Sequence, residues 1–189
     1  MKSLVRNMVP YPTLNFLTCS LVPLQNHSSI VSKNEMMTIP QSTMQCFEPC
    51  SLLTSVNLKE GKYMNVSLKY CGNVSMKEVN QSIQCLKRSG IVHDHAVPWT
   101  RVGVHCETVS KSKTLGSNHE TSIISMLANS TVMGGVFDRI MNKCDKLYDK
   151  RAYVHWFVGE GMESGEFEEA REVVRNLAFD YHNMENMEQ

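Results

Sequence analysis

His93 and His95 flank Asp94, and His105 follows ten residues later. Imidazoles at i and i+2 share one face of a strand, with Asp94 opposite, and zinc would accept two so placed if two more ligands converged. Nothing nearby is spaced to complete that shell, so surface or interface histidines are the competing reading. The seven cysteines, Cys19, Cys46, Cys50, Cys71, Cys85, Cys106 and Cys144, form no CxxC pair. An odd, scattered set reads as free and largely buried thiols in a reducing compartment. No nucleophile elbow accompanies them. Gly159-Glu160-Gly161 lacks the spacing and the lysine of a P-loop, and its acid would repel phosphate. Gly134-Gly135 falls inside a helical pattern, where close packing or fraying explains it.

The carboxylates are the densest group: Glu160, Glu163, Glu166, Glu168, Glu169 and Glu172. General acid–base work needs two carboxyls in different environments, and one solvated helix face supplies only one. Arg171 and Arg175 relieve part of the repulsion. A surface for a basic partner is the functional version of this run, and a plain solvated face is the bland one. The charge distribution fits either. Residues 1–159 carry 17 Lys/Arg against 10 Asp/Glu, whereas residues 160–189 carry 2 against 9, for a formal net charge of zero. An acidic last helix argues against nucleic acid as its partner.

These residues need elements to position them. Val136, Ile140, Cys144 and Leu147 recur at helical spacing, as do Phe167, Ala170, Val174, Leu177 and Tyr181. Two long helices joined by a Gly-rich elbow are predicted, with Ser130 or Thr131 capping the first. The apolar run Tyr153, Val154, Trp156, Phe157, Val158 precedes the glycines. Upstream, Lys62 to Tyr70 alternates, placing Met64, Val66, Leu68 and Tyr70 on one face of a strand with a wet back. Ser75 and Glu78 make a capping box for a helix through Val79, Ile83 and Leu86 that stops at Gly90. Strands are expected over Leu14–Pro23, Ile91–His93, Arg101–Cys106 and Ile123–Leu127, a short helix over Ser42–Phe47, and loops over 24–33 and 107–120. The sum is an α+β fold, a mixed sheet with packed helices followed by an antiparallel helical pair. At 189 residues and 42% apolar content the chain can bury a core. No apolar run approaches a membrane span, and the first 25 residues hold no clean leader. Sequons at Asn26, Asn65, Asn73, Asn80 and Asn129 would matter only in a secreted protein.

The stretch RAYVHWFVGEGMESGEFEEARE, residues 151–172, resembles the C-terminal signature of tubulin, in its alpha rather than its beta form. Asn7-Met8-Val9-Pro10-Tyr11-Pro12, Cys46-Phe47-Glu48-Pro49, Gly61-Lys62-Tyr63-Met64, Val102-Gly103 and residues 125–131 (SMLANST) resemble further landmarks in the family's order. The resemblance runs from about residue 9 to residue 181. It implies an intermediate domain over 1–130 and a C-terminal helical domain over 131–189. It further implies that Phe47, Tyr63, Trp156 and Phe157 are mainly core and domain-packing residues. The helical pair would line the outer face of a microtubule, where motor and associated proteins bind, with Glu160, Glu163, Glu166, Glu168, Glu169 and Glu172 on that surface. His93, Asp94 and His95 would lie near a longitudinal subunit contact, although the family keeps apolar flanks around that aspartate.

The family's GTP-binding domain and the glutamate that promotes hydrolysis have no counterpart in this text. The resemblance therefore implies no cofactor held by this chain, GTP belonging to the full-length family, and no enzymatic role of its own. Beta-tubulin and microtubule-binding proteins are the implied partners, with neither nucleic acid nor membrane among them, and the cytoskeleton of the cytoplasm is the implied location. The expected function is that of a truncated or divergent alpha-tubulin-like structural protein. The alternative is a fragment of a full GTP-binding microtubule subunit.

Overall fold

A computed structural model describes residues 8–22, 37–99, 103–109, 122–163 and 165–187. The strands are β1 (Leu17–Val22), β2 (Tyr63–Cys71), β3 (Val104–Val109) and β4 (Ile123–Ser130). The helices are α1 (Ile39–Gln45), α2 (Met76–Ser89), α3 (Met133–Tyr148), α4 (Val154–Gly159) and α5 (Glu166–Asn186). The strands form one sheet in the order β1-β4-β2-β3. β4 runs antiparallel to both β1 and β2, whereas β2 and β3 are parallel and joined through α2. A parallel pair needs such a crossover, because no tight turn can return the chain to the same end. The fold is the mixed α+β arrangement that the alternating patterns predict.

Two cores hold it together. The larger gathers Val66, Leu68 and Tyr70 from β2 and Ile124, Met126 and Ala128 from β4 under Cys46 and Phe47 and under Val79 and Leu86 of α2. The smaller joins Leu14, Met64, Val97, Met133 and Tyr181, with Phe137 and Leu177 against them. Strict alternation places Met64 with Val66, yet it sits in the second core. The register of β2 against β4 slips between Tyr63 and Asn65, and such a bulge turns one side chain to the opposite face. Tyr63 takes the place in the first core and Met64 reaches α3 and α5.

Local signals around α2 act as read. Ser75 Oγ accepts from the Glu78 amide at 3.3 Å while a Glu78 carboxylate oxygen accepts from the Ser75 amide at 2.9 Å. Gly90 closes the helix at φ 68°, a conformation that costs glycine little. Other expectations are corrected. Residues 91–95 form turns rather than a strand, so His93 and His95 do not share a strand face. Neither Ser130 nor Thr131 caps α3, whose N-cap is Val132. Both hydroxyls are engaged elsewhere, Thr131 Oγ1 accepting from the Lys62 amide at 2.9 Å and Ser130 Oγ donating to the Lys62 carbonyl at 3.0 Å. α1 starts at Ile39, three residues before the expected Ser42, with Pro40 in its first turn, where a missing amide hydrogen costs nothing. Residues 107–109 of the expected 107–120 loop continue β3 instead, paired with β2. The rest of that loop, the loop over 24–33, and Arg101 and Val102 of the expected strand lie outside the described residues.

Candidate functional site

α3 and α5 lie antiparallel, as the pairs Asp138–His182 at 2.7 Å and Asp145–Arg171 at 2.7 Å require. Gly134 permits the approach, since a Cβ there would sit 3.1 Å from Tyr181 Cβ. Gly135 meets open space. The chain leaves α3 through Arg151 and Tyr153, both at positive φ (49° and 63°), a conformation disfavoured for residues with a Cβ. That turn throws the apolar run outward. Tyr153, Trp156, Phe157 and Val158 are 65%, 68%, 50% and 46% exposed. Phe47 and Tyr63 are buried as expected, but Trp156 and Phe157 are not core residues of this chain. Nothing in their periodicity distinguishes an apolar strip that is buried from one that is displayed.

Beside this patch all six candidate glutamates, Glu160, Glu163, Glu166, Glu168, Glu169 and Glu172, are exposed. Glu166, Glu168 and Glu169 fill the first turn of α5, where negative charge meets the positive end of the helix dipole. One aromatic cluster supports the platform from below: Phe167 lies 5.7 Å from Tyr148 and 5.4 Å from Phe157. The Arg171 guanidinium stacks 4.7 Å from the centre of the Tyr148 ring and pairs with Asp145. That hydrogen bond holds the Asp145 carboxyl below its usual range. The geometry offers an exposed acidic surface bordered by aromatic residues, suited to contact with a protein, and its six glutamates are all exposed rather than in contrasting environments.

The remaining candidates are dispersed. His93 and Asp94 are exposed and lie 3.5 Å apart, Nδ1 to Oδ1. The main chain beside them is structural: the Tyr63 amide donates to the His95 carbonyl at 2.6 Å. Among the described residues no three His, Cys, Asp or Glu side chains converge as metal ligands. Burial pushes the Cys46 thiol up to about 11, so it is protonated and a poor nucleophile at neutral pH. A cleft of about 490 Å³ opens where Asn57 and Glu60 face Val132, Arg139, His182 and Glu185. Its lining mixes both signs of charge and selects for neither.

Comparison with known proteins places this architecture. The tubulin C-terminal domain profile matches residues 12–142. The chain belongs to the tubulin family. It is 36% identical to the tubulin alpha-1 chain of Arabidopsis thaliana and 37% identical to the tubulin alpha-3 chain of Zea mays, each over 179 residues. The tubulin alpha chain of Trypanosoma cruzi is 36% identical over the same length. Each alignment covers 93% of this chain but 39% of the relative. The sheet and helical pair described above are thus the part of an alpha-tubulin-like chain that this sequence spans.

Proposed function

We propose that this tubulin-family chain has a structural role exercised through protein contact at the elbow and the acidic face of α5. The observation that carries this reading is the joint exposure of Tyr153, Trp156, Phe157 and Val158 beside the six glutamates. Aromatic residues displayed together are what contact hot spots are made of, and a carboxylate face selects a basic partner. By family, a beta-tubulin-like subunit would take the aromatic patch and microtubule-binding proteins the acidic face. His93, Asp94 and His95 are proposed as a further subunit contact. The division into residues 1–130 and 131–189, and a location in the cytoplasmic cytoskeleton, belong to the same proposal.

Co-sedimentation with assembled microtubules tests it. The chain is expected to pellet with them, Trp156→Ala to weaken this by about tenfold, as loss of an aromatic anchor does, and Glu168→Lys to weaken capture of basic microtubule-binding proteins. Unchanged pelleting of Trp156→Ala together with unchanged capture by Glu168→Lys would overturn the reading. We further propose that the 189 residues alone bind no GTP, because no stretch of them has the spacing of a phosphate loop. Stoichiometric binding in equilibrium dialysis is the contrary result. A second reading, part of a complete GTP-binding alpha-tubulin, is favoured by the 39% coverage of the relatives. Transcript sequencing upstream of Met1 separates the two, since only this one requires a continuous frame encoding a Gly-rich nucleotide loop.

A further inference from the structure

The two halves of α5 are held by different means. In its second half Ala178 and Tyr181 are buried, and Tyr181, Leu177 and Met184 belong to the smaller core. Three hydrogen bonds from distant segments add to this. Tyr181 Oη accepts from the Phe16 amide at 3.2 Å. Trp99 Nε1 donates to the Met184 carbonyl at 3.1 Å, and Lys62 Nζ to the Glu185 carbonyl at 2.7 Å. The last two satisfy carbonyls that a helix C-terminus otherwise leaves to water.

Neither α4 nor the described residues from 149 to 177 include one that is buried. They are held by Phe167 against Tyr148 and Phe157, by Tyr148 Oη donating to Glu168 at 3.3 Å, and by Asp145. Asp145 binds Arg171 through one oxygen and lies 3.4 Å from Arg175 through the other. The side chains of Arg171 and Asp145 are 17% and 29% exposed, so this is the most sheltered polar contact of the segment. Its entry turn runs through two residues at positive φ, and Gly165 provides no side-chain cap for α5.

We propose that the elbow, α4 and the first half of α5 (residues 149–163 and 165–176) open and reclose as one unit while Leu177–Asn186 stays docked, with Asp145–Arg171 as the latch. Segments with few buried apolar contacts open at lower free energy than the core they adjoin. The inference holds whatever binds to the glutamates. When the unit opens, the ring contacts of Phe167 with Tyr148 and Phe157 part and the acidic face loses its shape, so any contact made by that face would depend on the latch.

Amide hydrogen exchange on the full 189-residue chain, read by mass spectrometry and corrected for intrinsic rates, tests this. Amides of α4 and of residues 170–176 are expected to exchange in one step, about tenfold or more faster than those of 178–186 and of β2 and β4. Arg171→Ala, with Asp145→Asn as the gentler variant, should quicken that step and leave 178–186, β2 and β4 unchanged. A single rate along the whole of α5 in the unsubstituted chain would sink the proposal. So would variants that accelerate elbow and core amides by the same factor.

Discussion

A methyl group at Gly61 has no space to occupy. Its carbon would lie 2.5 Å from Val132 Cγ2 and 2.9 Å from the Val132 amide nitrogen, and the second is backbone that cannot swing aside. Gly61→Ala is expected to cost about 2 kcal/mol, as overpacking does, seen as a lower denaturation midpoint at unchanged slope. Ser75→Ala removes a cap and should cost about 1 kcal/mol by the same measurement. Asp145 gives a pH dependence. Its pKa is lowered in the fold by the hydrogen bond from Arg171, then by the charges of Arg171 and Arg175. The stabilisation is therefore complete above the ordinary carboxylate range, near about pH 4, and is lost as pH falls through the lower native value. Exchange at α4 should accelerate on acidification below that point, and Arg171→Ala should abolish this acid-dependent component. Ser75, Glu78 and Gly90 could be read from the chain because capping is settled within a few residues. Ser130 and Thr131 misled for the opposite reason, since their partner is Lys62, far away in sequence, and a local cap pattern carries no information about it.

Among the elements, β4 organises the sheet, and its Asn129 organises what precedes the sheet. The Asn129 amide donates to the Met8 carbonyl at 3.0 Å and the Leu14 carbonyl at 2.8 Å, fully buried. Asn129→Leu would strand both acceptors, at a cost of about 3 kcal/mol if each buried carbonyl loses its only partner. The expected signature is proteolytic cutting near residues 8–14 ahead of the rest of the chain, and cutting at the unsubstituted rate would contradict it. Periodicity marked β2 because it buries one face, and it marked the two long helices. Ile140 and Leu147 of the first predicted stripe and Ala170 of the second are nonetheless exposed, because among the described residues the pair meets the rest of the chain through Met133, Met141, Ala178, Tyr181 and their neighbours. Periodicity could not show the bulge that sends Met64 to the second core, because a bulge is a property of two strands in register. The outward display of Trp156 was hidden for a related reason. It follows from the turn at Arg151 and Tyr153, whose positive φ values are imposed on residues that do not advertise them.

At the scale of the molecule, exposed apolar side chains are numerous for a monomer. Tyr11, Phe16, Ile140, Leu147, Trp156, Phe157 and Phe179 are each between 43% and 68% exposed. Surfaces of this kind associate, so the isolated chain is expected to sediment as a mixture of oligomers, and a single monomeric species in analytical ultracentrifugation would refute that. The acidic end of the chain and its basic remainder could be read directly from composition, but which apolar residues are left uncovered depends on packing that no composition records. Among the described strands β1 pairs with β4, and the Thr18 hydroxyl that bonds the Ala128 carbonyl spans 110 residues of sequence to do so. During synthesis at about 5–20 residues per second, β1 therefore waits roughly 5–20 s for its neighbour to be made. Through that interval β2, α2 and β3 can assemble from nearby sequence. Among the described residues β1 then has backbone contact only with the turn at residues 52–53, where the Leu53 amide donates to the Cys19 carbonyl at 2.9 Å, so its β4 edge stays open in the nascent chain until β4 is made.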